Sequence, residues 1–237
     1  MKCFRVLSLV MSVVLVLAVT TLWAGDNPFA DLVGGSKVYY SHIAVTDGWE
    51  TEVAVINPTT AAASATLTPY DTNGVPVSRA VTVNLAAHGR YQVEVGTTFS
   101  DPQQIAYMLV TSATYGLKGY CKFYNHGIRA SIMGSSPGTE GLFTKIDHEG
   151  WTGIAFINTA ATAADITLTA YADAGTAVAV ESMSVPAGAK VVKTVEQIFS
   201  QSLAAATYVA FSSDQAVVGF FLNGSADGTM LDGSQAL

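Results

Sequence analysis

From residue 38 onward the chain alternates between short apolar runs and clusters of turn residues. The runs are rich in Val, Ile, Thr, Tyr and Phe, and Gly, Pro, Asn and Asp separate them. Short runs of β-branched and aromatic residues bounded by turn residues are typical of β-strands. Helix is predicted only as a turn or two within 97–105 and 195–204. The pattern predicts strands over residues 38–45, 51–57, 63–71, 76–85, 90–96, 105–112, 117–125, 128–133, 141–147, 152–158, 163–172, 177–185, 189–195, 206–213, 216–223 and 229–232.

The second half of the chain repeats the pattern of the first half. Three pairs of segments match in order: GWETEVAVIN (48–57) with GWTGIAFIN (150–158), ATLTPYDTNG (65–74) with ITLTAYADAG (166–175), and GYCKF (119–123) with GFFLN (219–223). A period of about a hundred residues is the length of a domain rather than of a solenoid unit. The period predicts two copies of one fold, with Trp49 and Trp151 at the same place in each copy.

Many short strands with regular turns and almost no helix are typical of a β-sandwich. We therefore predict an all-β protein of two tandem β-sandwich domains, immunoglobulin-like and related by the internal repeat. The domains are predicted at 38–134 and 141–237, and residues 135–140, within a segment rich in Gly, Ser and Pro, are predicted to link them. Each domain is long enough to bury a core of its own.

The N-terminus has the composition of an export signal. Lys2 and Arg5 precede an apolar run over 6–19, and small residues follow this run. This order is typical of a secretory signal peptide, and the apolar run is shorter than the roughly 20 residues that a spanning helix needs. We predict a signal peptide at 1–24 and an N-terminal leader at 25–37. Export to the periplasm, cell surface or extracellular space follows, with no integral membrane segment after cleavage.

The net charge bears on the kind of partner, and the cysteine content bears on disulfides and reactive thiols. The formal net charge is −7, and an acidic surface argues against nucleic acid as a partner. Cys121 is the only cysteine left after the predicted cleavage, so no intrachain disulfide is expected. Cys121 and Lys122 are neighbours on a predicted strand and therefore point to opposite faces. Because lysine is rarely buried, Cys121 is predicted to face the core as an inert thiol.

One segment matches a catalytic motif by its letters. Residues 134–138 read G-S-S-P-G, the spacing of a nucleophile elbow with Ser136 at its centre. That motif requires a sharp turn from a strand into a helix, and here the predicted strands on both sides leave no helix. Asp147 and His148 are adjacent on a strand and point to opposite faces. We therefore predict a linker, no catalytic residues, no cofactor and no enzymatic activity.

The histidines and acidic turns do not have the spacing of a metal site. His42, His88, His126 and His148 lack zinc-type spacing and cysteine partners, so solvated side chains are predicted. The segment 71–74, Asp-Thr-Asn-Gly, resembles the start of a calcium loop but lacks the later Glu of such loops. A hairpin turn accounts for it, and no metal site is predicted.

The tryptophans are the candidate binding residues. Trp49 and Trp151 begin the second strand of each copy, next to a glycine in both cases. Exposed indole rings could stack on sugar rings, whereas buried ones would anchor the strand by covering a large apolar area. The recurrence in both copies favours the structural role.

Beyond these individual residues, the chain resembles tandem β-sandwich repeats of secreted bacterial proteins, with the pattern GW-x-T, then Asn, then YD-x-x-G. The first copy matches at Tyr40, His42, Gly48, Trp49, Thr51, Asn57, Tyr70, Asp71 and Gly74. The second copy matches at Phe143, Gly150, Trp151, Asn158, Tyr171 and Gly175, with Lys145 and Ala172 in place of the His and the Asp. The resemblance implies a structural or adhesive protein without catalytic activity.

These observations together predict a secreted or cell-surface structural or interaction module. Its partner would be an unidentified protein or a surface glycan. The alternative is a carbohydrate-binding module that uses Trp49, Trp151 and neighbouring aromatic residues. Exposure of the two indole rings distinguishes the two roles.

Overall fold

In the computed structural model the chain is described from residue 35 to residue 237. The predicted signal peptide at 1–24 and most of the predicted leader at 25–37 lie outside the described residues. Antiparallel β-strands dominate this part of the chain, so the predicted all-β class is confirmed. Within residues 35–237, no helix has both the length and the apolar character needed to cross a membrane.

The first half of the described chain forms two sheets of four strands each. Their orders are β1-β6-β3-β4 and β5-β2-β7-β8. Two short helices follow β5, α1 at Val95–Thr98 and a 3₁₀ helix at Pro102–Gln104. The strands of this half are β1 Ser36–Tyr40, β2 Glu50–Ile56, β3 Ala63–Tyr70, β4 Val81–Leu85, β5 Arg90–Glu94, β6 Tyr107–Ser112, β7 Lys118–Asn125 and β8 Ile128–Met133.

The second half forms one continuous set of seven strands. β14 pairs with β11, β9, β10 and β15, while β12 and β13 lie at the outer edges. A short helix, α2 at Val195–Ile198, follows β13. The strands of this half are β9 Gly138–Phe143, β10 Gly150–Asn158, β11 Ala164–Tyr171, β12 Ala177–Val185, β13 Lys190–Thr194, β14 Tyr208–Ser225 and β15 Leu231–Gln235.

The strand pairings of the first half recur in the second. β9, β10, β11, β12, β13 and β15 have the same neighbours as β1, β2, β3, β4, β5 and β8, and β14 takes the places of both β6 and β7. In the first half a turn at 113–117 separates β6 from β7, and Gly116 in this turn has φ +88. The corresponding residues 213–216 stay extended, so one long strand belongs to both sheets.

Alternation along the strands places apolar side chains between the sheets of each half. In β3, Ala63, Ala65 and Leu67 are buried, and Leu67 shares a core with Val53 and Cys121 of the facing sheet. A second core around Phe143, Phe156 and Phe211 fills the other half. Side chains on one side of each strand thus meet those of the opposing sheet, because successive residues of a strand point to opposite faces.

Several segments differ from the sequence prediction, among them the strands predicted at 206–213 and 216–223, which form the single strand β14, and the strand predicted at 38–45, which ends at Tyr40. The strand predicted at 76–85 begins only at Val81, and Pro76 instead forms an isolated bridge with Tyr70. Part of the predicted linker 135–140 is extended: Ser135 exchanges two backbone hydrogen bonds with Tyr39, and β9 starts at Gly138. Pairing with the sheets satisfies backbone groups that a free linker would leave to water.

One sheet of the second half, β13-β10-β14-β15, is covered on both faces. Ile154 and Phe156 of β10 point into the second core, whereas the residue between them, Ala155, belongs to the core of the first half. We call the side that meets the first half the docking face; its apolar residues are Ala155, Ile157, Val218, Phe220 and Leu222. A strand that is buried on both faces has a continuous apolar sequence. The segments GIAFIN of β10 and VVGFFL of β14 are such sequences.

Hydrogen bonds and one close glycine contact connect the two halves near the hairpin at 71–74. Tyr107 of β6 donates from its hydroxyl to Gly188 O at 2.9 Å, and Lys190 N donates to Thr72 O at 2.9 Å. A Cβ added to Gly74 would lie 2.3 Å from Gly188 O, so the two turns touch through glycine backbone. The hairpin of one half and the turn before β13 of the other therefore form a close contact that larger residues would prevent.

Candidate functional site

A cavity of about 270 Å³ lies where the two halves meet. His42, Ala44, Trp49 and Phe123 of the first half line it, together with Trp151, Gly153, Ala155, Val192, Phe220, Leu222 and Leu231 of the second half. Trp151 and Val192 are exposed, with 37% and 56% of their surface accessible, and Phe123 and Phe220 are buried. The cavity thus has aromatic and aliphatic walls and reaches the surface beside Trp151. A concave apolar site with a few polar groups is the usual form of a small-ligand site.

Two glycines determine where the indole ring of Trp151 lies. A Cβ added to Gly224 would be 2.2 Å from Trp151 Cε2, and one added to Gly153 would be 3.2 Å from Trp151 Cζ3. The ring therefore rests on glycine backbone, in space that any side chain at Gly224 would fill. Because Trp151 pairs with Gly224 across β10 and β14, this contact is built into the register of the sheet.

The two tryptophans do not occupy equivalent positions, so their predicted equivalence is wrong by one residue. Thr51 pairs with Phe123 and Thr152 pairs with Asn223, which makes these threonines counterparts. Glu50 stands between Trp49 and Thr51, whereas Trp151 directly precedes Thr152. A shift of one residue along a strand moves a side chain to the other face.

This shift gives the two indole rings different surroundings. Trp49 is half-buried, packs against the core of the first half, and has its ring centroid 6.1 Å from that of Phe123. Trp151 lies on the docking-face side of β10 and is 37% exposed. The structural role predicted from recurrence fits Trp49 better than Trp151, and both rings contribute to one cavity.

His42 and Lys190 form a polar pair beside the cavity. Lys190 is buried and its Nζ donates to Ala106 O at 2.8 Å, with His42 Nδ1 at 3.4 Å. The ammonium nitrogen also lies 5.3 Å from the ring centroid of Phe220, a favourable cation–π position. His42 packs its ring against Phe123 at 4.7 Å, so the prediction of a solvated side chain at His42 is wrong.

Burial is the main cause of the pKa shifts of Lys190 and His42. It lowers the pKa of Lys190 to about 7, and it lowers the pKa of His42 well below the usual value, with the charge of Lys190 adding to the effect. Both shifts arise because a low-dielectric environment disfavours the charged form of a base. None of the ion pairs formed within residues 35–237 includes Lys190.

The corresponding sheet face of the first half is polar. Glu52 accepts hydrogen bonds from Tyr120 at 2.6 Å and from Lys122 at 2.8 Å, and Arg90 contacts Tyr120 as well. Although burial by itself would raise the pKa of Glu52, the hydrogen bonds from Lys122 and Tyr120 lower it. The second half has apolar or small residues at the matching places, and Lys190 matches Arg90. Because its residues are apolar or small, this face of the second half packs against the first half. Within the described residues, the polar face of the first half is not covered in this way.

The remaining candidate residues lie apart from the cavity. Ser136 is exposed and leads into β9, and His88 and His126 lie in exposed turns with φ 58 and φ 45. His148 contacts Ala206 O at 2.7 Å through Nε2. Asp71 accepts hydrogen bonds from the backbone N–H of the residues two and four positions later, both at 2.8 Å, so its carboxylate closes the hairpin. In the part of the chain that the structure describes, no group of three or more His, Cys, Asp or Glu side chains could hold a metal ion.

Cys121 is buried, as the alternation of β7 predicted. Its Sγ lies 3.7 Å from Ile132 O across the pair β7–β8. Burial raises the pKa of the thiol to about 11. A thiol held in its neutral form is a poor nucleophile, so the group contributes to packing rather than to chemistry.

His42 and Lys190 were not recognised together from the sequence. They are 148 positions apart, and Lys190 matches the exposed Arg90 of the first half. The signal that was available is the change from Tyr120 and Lys122 to Phe220 and Leu222, which turns an alternating strand into an apolar one. That change predicts a covered face, and Lys190 lies on the edge strand beside it.

Comparisons with known proteins find only distant structural similarity. No protein-family model matches it, and no curated protein matches it in sequence. Among solved structures, Thermotoga maritima protein 1070 is similar at 12% identity with a TM-score of 0.37, over 44% of this chain and 96% of that one. The Anabaena sensory rhodopsin transducer is similar at 13% identity with a TM-score of 0.31, over 36% of this chain and 95% of that one. A Pleurotus ostreatus lectin crystallised with GalNAc has 10% identity and a TM-score of 0.19, over 90% of this chain and 80% of that one. Similarity at this level carries no functional argument.

Proposed function

We propose that this protein is an exported, non-catalytic interaction module that binds an apolar group of its partner in the cavity between its halves. The observation that carries the proposal is that Trp49 and Trp151, one from each half, line the same cavity. Aromatic anchors in a pocket supply much of the energy of recognition, because they present large rigid apolar surfaces.

The architecture proposed with this function is two immunoglobulin-like β-sandwich domains that arose from one repeat. The neighbours β2–β5 and β3–β6 correspond to the B–E and C–F pairs of immunoglobulin sandwiches. β1, β4 and β7 lie in the opposite sheets from those of the constant-type fold, because β1 pairs with β6, β4 with β3 and β7 with β2. The basic and apolar N-terminal sequence supports export through a cleaved signal peptide.

A glycan is the second candidate ligand, and the exposure of Trp151 favours it. Sugar recognition needs an exposed aromatic face together with hydrogen-bonding groups around it. Trp151 offers a partly exposed ring, yet apart from the two indole N–H groups only His42 among the lining residues has a polar side-chain group. The apolar composition of the walls therefore favours an apolar group over a sugar ring.

Chemical-shift mapping on the protein labelled with ¹⁵N tests the proposal. The probe is 3-phenylpropan-1-ol, and a panel of monosaccharides serves as comparison. We expect the alcohol to shift the amides of Phe123, Phe220 and Leu222 and the indole N–H of Trp151, with millimolar or tighter affinity. In Gly224→Ala, whose new Cβ displaces the indole, these shifts should disappear.

The control is Gly175→Ala, a turn glycine with nothing within 4 Å of the added Cβ, which should leave the shifts unchanged. Shifts produced by a sugar but not by the alcohol would make the protein a carbohydrate-binding module. Shifts scattered outside the cavity would refute a binding role for it.

A further inference from the structure

His42 is the one titratable side chain among the lining residues of the cavity, and its contacts define which of its ring nitrogens carries the proton. In its protonated form Lys190 Nζ can only donate, so the 3.4 Å contact then makes His42 Nδ1 the acceptor. A neutral imidazole that accepts at Nδ1 carries its proton on Nε2. No hydrogen bond of Nε2 is found within residues 35–237, and His42 lines the cavity. The wall of the cavity thus offers the N–H of His42 beside the indole N–H groups of Trp49 and Trp151, and His42 is the donor that lies next to Lys190.

The buried cation behind this histidine lacks a counter-charge. Lys190 is 7% exposed and binds a carbonyl oxygen, an imidazole nitrogen and an aromatic face, all of them neutral. The titratable groups that face it are His42, from the loop after β1, and Cys121, from β7. A buried charge is normally paired, because the apolar surroundings solvate it poorly.

We propose that the cavity binds a ligand with a flat apolar body and one carboxylate, which accepts the Nε2–H of His42 in front of Lys190. This inference rests on the proposed function, since it names the chemical class of the group that enters the cavity. Trp49, Trp151 and Phe220 surround the apolar body. The carboxylate supplies the negative charge that Lys190 lacks, and His42 connects the two by a hydrogen bond on each ring nitrogen.

The preference for a carboxylate is expected from Lys190 of the second half and not from its counterpart in the first half. Its counterpart Arg90 is exposed and bound to Glu52 and Tyr120, so it already has an anionic partner. Hydrogen bonds to charged groups are stronger than those between neutral groups, by enough to raise affinity about tenfold or more. An acid should therefore bind more tightly than a neutral molecule of the same shape.

Calorimetric titration of the whole protein with 3-phenylpropanoate and with 3-phenylpropan-1-ol tests this inference. We expect the acid to bind at least about tenfold more tightly than the alcohol. In Lys190→Met, which removes the ammonium group and keeps an unbranched side chain, the preference should disappear while both probes still bind. Arg90→Met should retain the preference.

A second measurement on the unaltered protein does not depend on how the variant folds. The carboxylate stays ionised between pH 6 and pH 9, whereas Lys190 loses its proton as the pH rises above about 7. The affinity for the acid should fall over this range, and that for the alcohol should stay constant. Equal binding of acid and alcohol at pH 6, or a constant ratio up to pH 9, would overturn the inference and leave an apolar site. Failure of both probes to bind would overturn the proposed function itself.

Discussion

Thr51 of β2 and Thr152 of β10 occupy equivalent places in the two halves, and each hydroxyl binds the loop before its strand. Thr51 Oγ1 accepts from Ala44 N at 2.8 Å, and Thr152 Oγ1 accepts from Asp147 N at 2.8 Å. Trp49 lies two residues before Thr51, whereas Trp151 lies one residue before Thr152, so the two tryptophans differ in position by one residue. The cavity between the halves depends on this difference, because it directs Trp151 to the docking face.

Replacing the tryptophans should have unequal effects on stability. Trp49→Ala should lower the free energy of unfolding by about 3 kcal/mol, because its ring packs on the core of the first half. Trp151→Ala should lower it by about 1–2 kcal/mol, because the ring is more exposed. Urea unfolding of both variants measures the difference. Equal losses would contradict the one-residue shift between the two positions.

Alanine substitutions at two turn glycines measure how much the contact between the halves contributes to stability. Gly74 and Gly175 have φ +79 and φ +78, so alanine at either position is strained by about 1 kcal/mol. An added Cβ meets Gly188 O at 2.3 Å in the first case and nothing within 4 Å in the second. Gly74→Ala should therefore be less stable than Gly175→Ala by about 1–3 kcal/mol in thermal or urea unfolding. Equal stability would show that this contact contributes nothing.

The stability of the protein should rise with pH above neutrality because of Lys190. Its pKa is about 7 in the folded chain and about 10.5 when unfolded, so the unfolded state binds more protons between these values. The contribution is fully present above pH 10.5 and is lost as the pH falls through 7. Urea unfolding at pH 7, 8 and 9 should show this rise in the unaltered chain and a flatter profile in Lys190→Met. Lys118→Met, at an exposed position, serves as the control.

Cys121 should resist modification in the folded protein. The thiol is buried and its pKa is raised to about 11, so little thiolate is present and none is accessible. A maleimide reagent at pH 8 should label it slowly in buffer and rapidly in denaturant. Cys121→Ser should lower the free energy of unfolding by about 1–3 kcal/mol, because the hydroxyl enters an apolar core. Rapid labelling in buffer would place the thiol at the surface.

Local features of the sequence predicted the strands well. β7, β8 and β12 lie within about one residue of the predicted limits, because alternation and turn residues act over short distances. Turn chemistry likewise identified the hairpin at 71–74, where Asp71 caps the turn as a hydrogen-bond acceptor. The burial of Cys121 followed from its alternation with Lys122.

The sequence by itself determined the all-β class, the internal repeat and the inward direction of Cys121 on β7. Only the tertiary structure decided that the docking face packs against the first half, that Trp49 and Trp151 share a cavity, and that Lys190 is buried beside His42. Side-chain periodicity records which face of a strand is apolar, but it does not record what covers that face. The pairing of Lys190 with His42 depends on how two separate sheets approach each other, and no local pattern encodes that approach.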